Sequence, residues 1–321
     1  MTKNDNDMKK NIYVLLALVG AMAWTGCMRE ELAPEDPPEQ LTAAADSVWT
    51  VTLQAVKSDV PQTKGLAIGD GDDEGNTTTL KSIWKAGEEV KVFLESTCIG
   101  TLTATPDAED AHKATLSGTV TTTALVEGTS TITLLTPRET WDYTGQAGTL
   151  LEAPGSIEKM YHYTAATGVL VKAVDTENNT ITTDNASFAN QQSIYRFSFR
   201  YKKSEESKTP ITAKSLTITS ANGHLVQSHA VDGSSLAEGP IAVTLSAASA
   251  DPFFVALRNG DETNAEALTF TVIDADGVTY RGSKTIPAEY KRSGSFVSAK
   301  NASLDQRLQL AQSTTGVDTV L

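Results

Sequence analysis

Tyr195-Arg196-Phe197-Ser198-Phe199-Arg200-Tyr201 decides the fold. Aromatic residues alternate with polar ones at period two, the pattern of a strand with one buried and one wetted face. Downstream, Leu216 and Ile218 alternate with Thr217 and Thr219, and Asn222-Gly223 marks a type I′ hairpin. Apolar runs follow at 241–245 and 253–257. Residues 270–273 lead through Asp276-Gly277 into 278–280, a second hairpin signal, and 294–299 is the last strand candidate.

Upstream the same period returns. Trp49, Val51, Leu53 and Ala55 alternate with Thr50, Thr52 and Gln54; Val90, Val92 and Leu94 alternate with Glu89, Lys91 and Phe93. Further strands are expected at 114–120, 130–135 and 168–174. Residues 58–79, rich in Gly, Asp and Thr, read as a loop, and 136–154 as a longer connection carrying Trp141 and Tyr143. Many short strands, frequent turn signals and no long helical period give an all-β fold of sandwich type. The polar stretch 185–192 marks a boundary between two sandwiches, 47–188 and 189–304, with 305–321 as a tail or donor strand.

The start of the chain is of another kind. Lys9-Lys10 precede an apolar run, 12–24, and then Thr25-Gly26-Cys27. A basic segment, a short apolar segment and small residues make an export signal, and the run is shorter than the about 20 residues that span a bilayer. Thr25, Gly26 and Cys27 resemble a bacterial lipobox, although Trp24 stands where an aliphatic residue is usual. Residues 1–26 are therefore read as a lipoprotein signal and Cys27 as the site of lipidation, for example by palmitate. An ordinary secretory signal would leave the cysteine unexplained. Asp5 and Asp7 suit a basic opening poorly, so translation is expected to start at Met8. Residues 27–46, acidic and carrying Pro34, Pro37 and Pro38, form a tether; extended, it spans on the order of 50 Å.

Composition removes several functions. The net charge of −14 would be repelled by phosphate backbones, so nucleic acid is not a partner. With Cys27 acylated, Cys98 has no disulfide partner and reads as a small buried hydrophobe. No H-E-x-x-H, G-x-S-x-G, Walker loop or G-x-G-x-x-G occurs, so no enzyme is expected. His224 and His229 flank a short strand without nearby cysteine or glutamate, which points to surface residues rather than zinc ligands. The loop Asp70-Gly71-Asp72-Asp73-Glu74-Gly75 has calcium-like spacing, but Lys81 stands where an EF-hand needs a bidentate Glu. No metal and no cofactor is expected. Trp141 beside Tyr143 in a polar loop is the candidate glycan-stacking pair.

Thr63-Lys64-Gly65-Leu66, then Trp84-Lys85-Ala86-Gly87-Glu88-Glu89-Val90-Lys91-Val92-Phe93, resemble the fimbrillin family, subunits of type V pili on Gram-negative anaerobes. Residues 214–220 and 254–258 are similar to later strands of that family. The resemblance implies two transthyretin-like β-sandwiches exported as a lipoprotein to the cell outer membrane, exposed on the surface or built into fimbriae. It implies cutting after a loop Arg, release of the first strand, and filling of the vacated groove by another subunit's C-terminal strand. The residues agree on one need: a strand at 48–56, read as an edge strand, joined by a loop to the rest. Two departures stand out. Lys64 occupies the place of the Arg, so the candidate processing site needs a Lys-accepting protease. Residues 307–321 alternate poorly and read as a frayed tail or amphipathic turn as readily as a donor strand. Glu30-Glu31 resembles a surface-export signal, and Asp46-Ser47-Val48 and Asp318-Thr319-Val320 resemble O-glycan acceptors. The expected role is a structural or accessory pilus subunit. Its partners would be other subunits, the membrane through the lipid, and ligands on host or bacterial surfaces. The alternative is a surface glycan-binding lipoprotein that does not polymerise.

Overall fold

A computed structural model describes residues 47–57, 66–68, 80–151, 153–202, 208–291, 296–297 and 307–312. Its regular secondary structure is nearly all strand, as the alternating pattern predicts. The first eleven strands are β1 (Ser47–Lys57), β2 (Leu66–Ile68), β3 (Leu80–Ser82), β4 (Glu89–Leu94), β5 (Thr97–Pro106) and β6 (Lys113–Thr122). They continue with β7 (Thr131–Thr136), β8 (Trp141–Asp142), β9 (Thr164–Asp175), β10 (Thr180–Thr183) and β11 (Ala186–Asn190). Then come β12 (Ser193–Lys202), β13 (Lys208–Pro210), β14 (Ala213–Ser220), β15 (Val226–His229), β16 (Ala237–Glu238) and β17 (Ile241–Ser249). The last are β18 (Phe253–Leu257), β19 (Glu266–Asp274), β20 (Thr279–Ile286), β21 (Phe296–Val297) and β22 (Arg307–Gln312). A π-helical turn at Ile157–Tyr161 and a short helix, α1 (Ala288–Lys291), complete the described elements.

The first large sheet runs β10-β1-β11-β9-β7-β4-β5-β6 and closes on itself, because β1 also pairs with β6. Closure requires strong coiling, and glycines permit it where β5 crosses β6. A Cβ at Gly118 would lie 2.3 Å from the carbonyl oxygen of Thr101, and one at Gly100 would lie 2.2 Å from that of Thr119. No other residue fits there. Inside, Trp49, Val51, Leu53 and Ala55 of β1 pack with Leu102, Leu116, Val120 and Val171. This apolar burial is the main stabilising term of this half.

The second sheet runs β13-β12-β22-β20-β19-β14-β17, with β18 and β21 also on β12. The stretch 195–201 behaves as its alternation demands. Tyr195, Phe197 and Phe199 are buried, and Phe197 meets Phe270 edge-on at 5.1 Å. The Asp276-Gly277 turn joins β19 to β20 as a hairpin, with Gly277 at φ +80°. The Asn222-Gly223 signal is a different case. The chain does turn there, but β14 on one side pairs β17 and β19, while β15 on the other pairs β16 and β8. No hairpin forms, because the apolar face of each strand finds a different partner. Inside the stretch 58–79 read as a loop lies β2, which pairs with β3 just beyond it.

Residues 141–163 pack with the second half. Trp141, Tyr143, Leu150, Ile157, Tyr161 and Tyr163 share a core with Tyr195, Phe197, Val243 and Leu257. The side-chain amide of Gln146 acts as a strand substitute: Nε2 donates to Ala256 O at 2.8 Å, and Oε1 accepts from Ala256 N at 2.8 Å. Gly148, at φ +73°, lies so close that a Cβ would meet a Leu245 methyl at 2.7 Å.

Candidate functional site

The site is built around β1. On one flank it forms a ten-residue antiparallel ladder with β6, from Ser47 opposite Thr122 to Val56 opposite Lys113. On the other it runs parallel to β10 at Thr50 and Val51, then to β11 from Ala55 to Lys57. Trp49 seals one end, its indole N–H donating to Thr122 O at 3.0 Å. The strand expected at an edge is therefore an interior strand. Alternation reports one wet and one dry face, which any strand of a closed sheet also has, and says nothing about its lateral neighbours.

Lys57 holds the other end. Its side chain is 1% exposed. Nζ donates to Ile83 O at 2.8 Å and to Glu88 Oε2 at 3.0 Å, and sits 3.7 Å from the centre of the Trp84 ring. Trp84 in turn meets Phe188 of β11 edge-on at 5.1 Å. Burial pushes the Lys57 ammonium down to about 8, against the opposing pull of Glu88. The expected strand, 48–56, stops one residue short of this group, and a lysine gives no sign in sequence that it will be buried.

The last strand is also inserted. Residues 198–201 of β12 pair in parallel with 307–310 of β22, whose far end meets Tyr280 and Arg281 of β20. Residues 307–312 thus form a strand within their own sheet, not a frayed tail or an amphipathic turn.

Trp141 and Tyr143, the expected sugar platform, are placed elsewhere. Trp141 is buried and stacked on His229 at 4.1 Å and 13°, with the Arg258 guanidinium 5.7 Å from the ring centre. Tyr143 has no exposed surface; its hydroxyl lies 3.3 Å from Gln191 O, and burial pushes the phenol far up. Neither ring offers a face to a ligand. The polar residues around them concealed that this connection covers a core. His229 is likewise buried, not a surface residue, and burial lowers its imidazole.

A second buried polar group closes the far end of the second sheet. Glu266 accepts from Ser220 Oγ, meets His224 Nδ1 at 3.1 Å, and pairs with buried Lys291 at 3.4 Å. Burial would raise the Glu266 carboxyl, but the bonds from Ser220, His224 and Lys291 outweigh it and hold the group below its usual range. The Ser220 and His224 side chains both bond the carboxylate instead of each other. Ser220 Oγ also accepts the backbone N–H of Asn222 and of His224, each at 3.1 Å. The trio locks a turn and does not activate a nucleophile.

Among the described residues, no three His, Cys, Asp or Glu converge as a metal site, and no helix is long and apolar enough to cross a membrane. Cys98 is half-buried, its thiol 3.7 Å from Gly100 O. Cys27, Lys64 and the acidic loop 70–75 lie outside the described residues.

No family model matches the chain, and no curated protein does. Solved structures give distant likenesses. A candidate adhesin from Bacteroides ovatus ATCC 8483 is 12% identical over 92% of this chain and 100% of its own, with a TM-score of 0.36. A candidate cell adhesion protein from Bacteroides fragilis NCTC 9343 is 10% identical over 76% of this chain and 91% of its own, with a TM-score of 0.35. A fimbrial assembly protein from Parabacteroides distasonis ATCC 8503 is 11% identical over 78% and 89%, with a TM-score of 0.30. Likeness at this level says nothing by itself about what this chain does.

Proposed function

We propose that this chain is a structural or accessory fimbrial subunit, two β-sandwiches in tandem, that assembles by strand exchange and contributes to cell adhesion. In this reading Cys27 carries a lipid that holds the precursor at the cell outer membrane, and the chain performs no catalysis. The observation that carries the reading is the slot of β1. Without β1, the facing edges of β6 and of β10 and β11 would be left unpaired beside the groove vacated by Trp49, Val51, Leu53 and Ala55. Unpaired backbone groups beside an apolar groove are costly, and an alternating strand from a second subunit satisfies both at once. An interior slot offers such a strand two ladders where an edge offers one. Lys64, shortly after β1, is the proposed point of cleavage.

The test uses full-length protein and a lysine-specific protease. A new N-terminus at Gly65 and ladders on unboiled gels are expected. Val48 faces Thr121 across the ladder, so the double variant Val48→Cys/Thr121→Cys should stay monomeric until reduced. Cleaved chains that never form ladders would overturn strand exchange. Membrane retention of Cys27→Ser would overturn the lipid anchor.

A further inference from the structure

The wall of the first sheet is interrupted at one place. Between β7 and β9 the register slips, with Ile132 opposite Val169 but Leu134 opposite Ala166. Thr167 and Gly168 are thereby left without partners across the ladder, and Gly168 takes φ +68°. On the other side of β9 the register slips again at Thr182/Thr183. The chain then leaves the sheet at Asp184 and Asn185 before β11 begins at Ala186. Bulges of this kind commonly re-aim side chains towards a site. Here the two interruptions flank an open surface pocket of about 410 Å³ whose lining includes Thr167, Gly168, Lys172, Asp184, Asn185 and Ser187. That volume falls within the roughly 300–1,000 Å³ of small-molecule sites.

Thr167, Gly168 and Lys172 lie on β9 and Ser187 on β11, and the short link 184–185 is tied back to the sheet. The Asp184 N–H donates to Leu170 O at 2.9 Å, and Thr183 Oγ1 donates to Asp184 O at 2.8 Å. The Asp184 carboxylate is ion-paired with Lys172. The Asp184 backbone is thereby fixed, while the Lys172 and Asp184 side chains stay about half exposed.

The chemistry selects the ligand class. The cation and the carboxylate neutralise each other, and a carboxamide and two hydroxyls complete the polar lining. A free ion would find no net opposite charge to offset its desolvation. Anionic ligands are opposed further by the chain's net charge of −14. A neutral ring bearing adjacent hydroxyls fits, because each hydroxyl both donates and accepts. Asp184 can take a hydrogen bond while Lys172 and Asn185 give one. At Gly168 an added Cβ would meet nothing within 4 Å, which leaves open space for the C–H face of such a ring.

We propose that this double-bulge cavity binds a neutral hexose at the end of a glycan. The proposal rests on the adhesive part of the function above, whose ligand it names, and is independent of strand exchange. It moves sugar recognition away from Trp141 and Tyr143 to a site without aromatic residues.

The experiment uses full-length protein, an array of glucose-, galactose-, mannose- and sialic-acid-terminated glycans, and saturation-transfer NMR with the corresponding methyl glycosides. At least one neutral sugar should receive saturation. Asp184→Ala and Asn185→Ala should each weaken its binding tenfold or more without lowering Tm by more than a few degrees. Ser187→Trp, built from an exposed position of β11, should fill the cavity and abolish binding. Absence of transfer to every neutral glycoside would overturn the proposal. So would binding of sialylated glycans alone, or neutral-sugar binding that survives both Asn185→Ala and Ser187→Trp. Cells whose Ser187→Trp protein still adheres to a neutral-glycan surface would overturn the cavity and spare the adhesive reading. Unchanged adhesion after deletion of the whole protein would overturn that reading itself.

Discussion

Lys57 makes a quantitative test of how β1 is held. Its ammonium is lowered from 10.5 to about 8 by burial, with Glu88 as the opposing influence. The folded protein thus holds this proton less tightly than the unfolded chain does. Between pH 8 and 10.5 unfolding takes up a proton, so stability rises with pH across that window. At about 1.4 kcal/mol per pKa unit, the full effect is roughly 3 kcal/mol, of which about 2–3 kcal/mol is gained between pH 7 and pH 10. Above pH 10 the sign reverses. Burial raises the phenols of Tyr143 and Tyr195, so unfolding there releases protons and stability falls again. Urea denaturation of wild type and Lys57→Met at pH 7, 8.5 and 10 separates the two contributions, since the variant keeps both tyrosines. The stability difference between the two proteins should move by about 2–3 kcal/mol in favour of wild type as pH rises. A difference that stays constant from pH 7 to 10 would refute the claim that the end of β1 carries a charge buried at a cost.

Three further outcomes follow from features described above. Gly118→Val puts a side chain against the Thr101 carbonyl and should cost about 3 kcal/mol in urea denaturation; a loss below about 1 kcal/mol would mean the sheet is not coiled so tightly. Glu266→Gln leaves the buried Lys291 charge without its counter-ion; a loss of about 3–5 kcal/mol is expected, and Glu266→Leu/Lys291→Met should recover most of it. Trp141→Ala removes a buried, stacked ring and should lower stability by about 3–5 kcal/mol while leaving hexose binding unchanged; lost binding at unchanged stability would restore the sugar platform.

What the sequence shows depends on whether a signal is local. The alternation over 195–201 and the Asp276-Gly277 turn are local, and the structure places them as read. β10 and β11 were hidden because 180–190 is mostly Thr, Asn, Ser and Ala, and its second half falls in the stretch 185–192 that reads as a polar link between domains. Their inward residues, Ile181, Ala186 and Phe188, are too few to stand out. Closure of the first sheet was invisible for a related reason: the neighbours of β1 lie about 60 to 130 residues away in the chain, and no short pattern encodes them. Trp141 and Tyr143 misled because a loop that covers a core still needs polar backbone partners, and it looks wet in sequence. The cavity needs two register slips on strands separated in the chain, so only the assembled sheet displays it. Cys27 and Lys64 remain sequence readings alone.

The direction of β1 has a mechanical consequence. A load applied at Ser47 along the strand axis would run parallel to β10 and β11 and antiparallel to β6. In that geometry the interstrand bonds are sheared together instead of being unzipped one after another, so the same ladders resist far more force than a peeled edge would. A fibre whose joints copied this geometry would yield elsewhere before its strands slid apart.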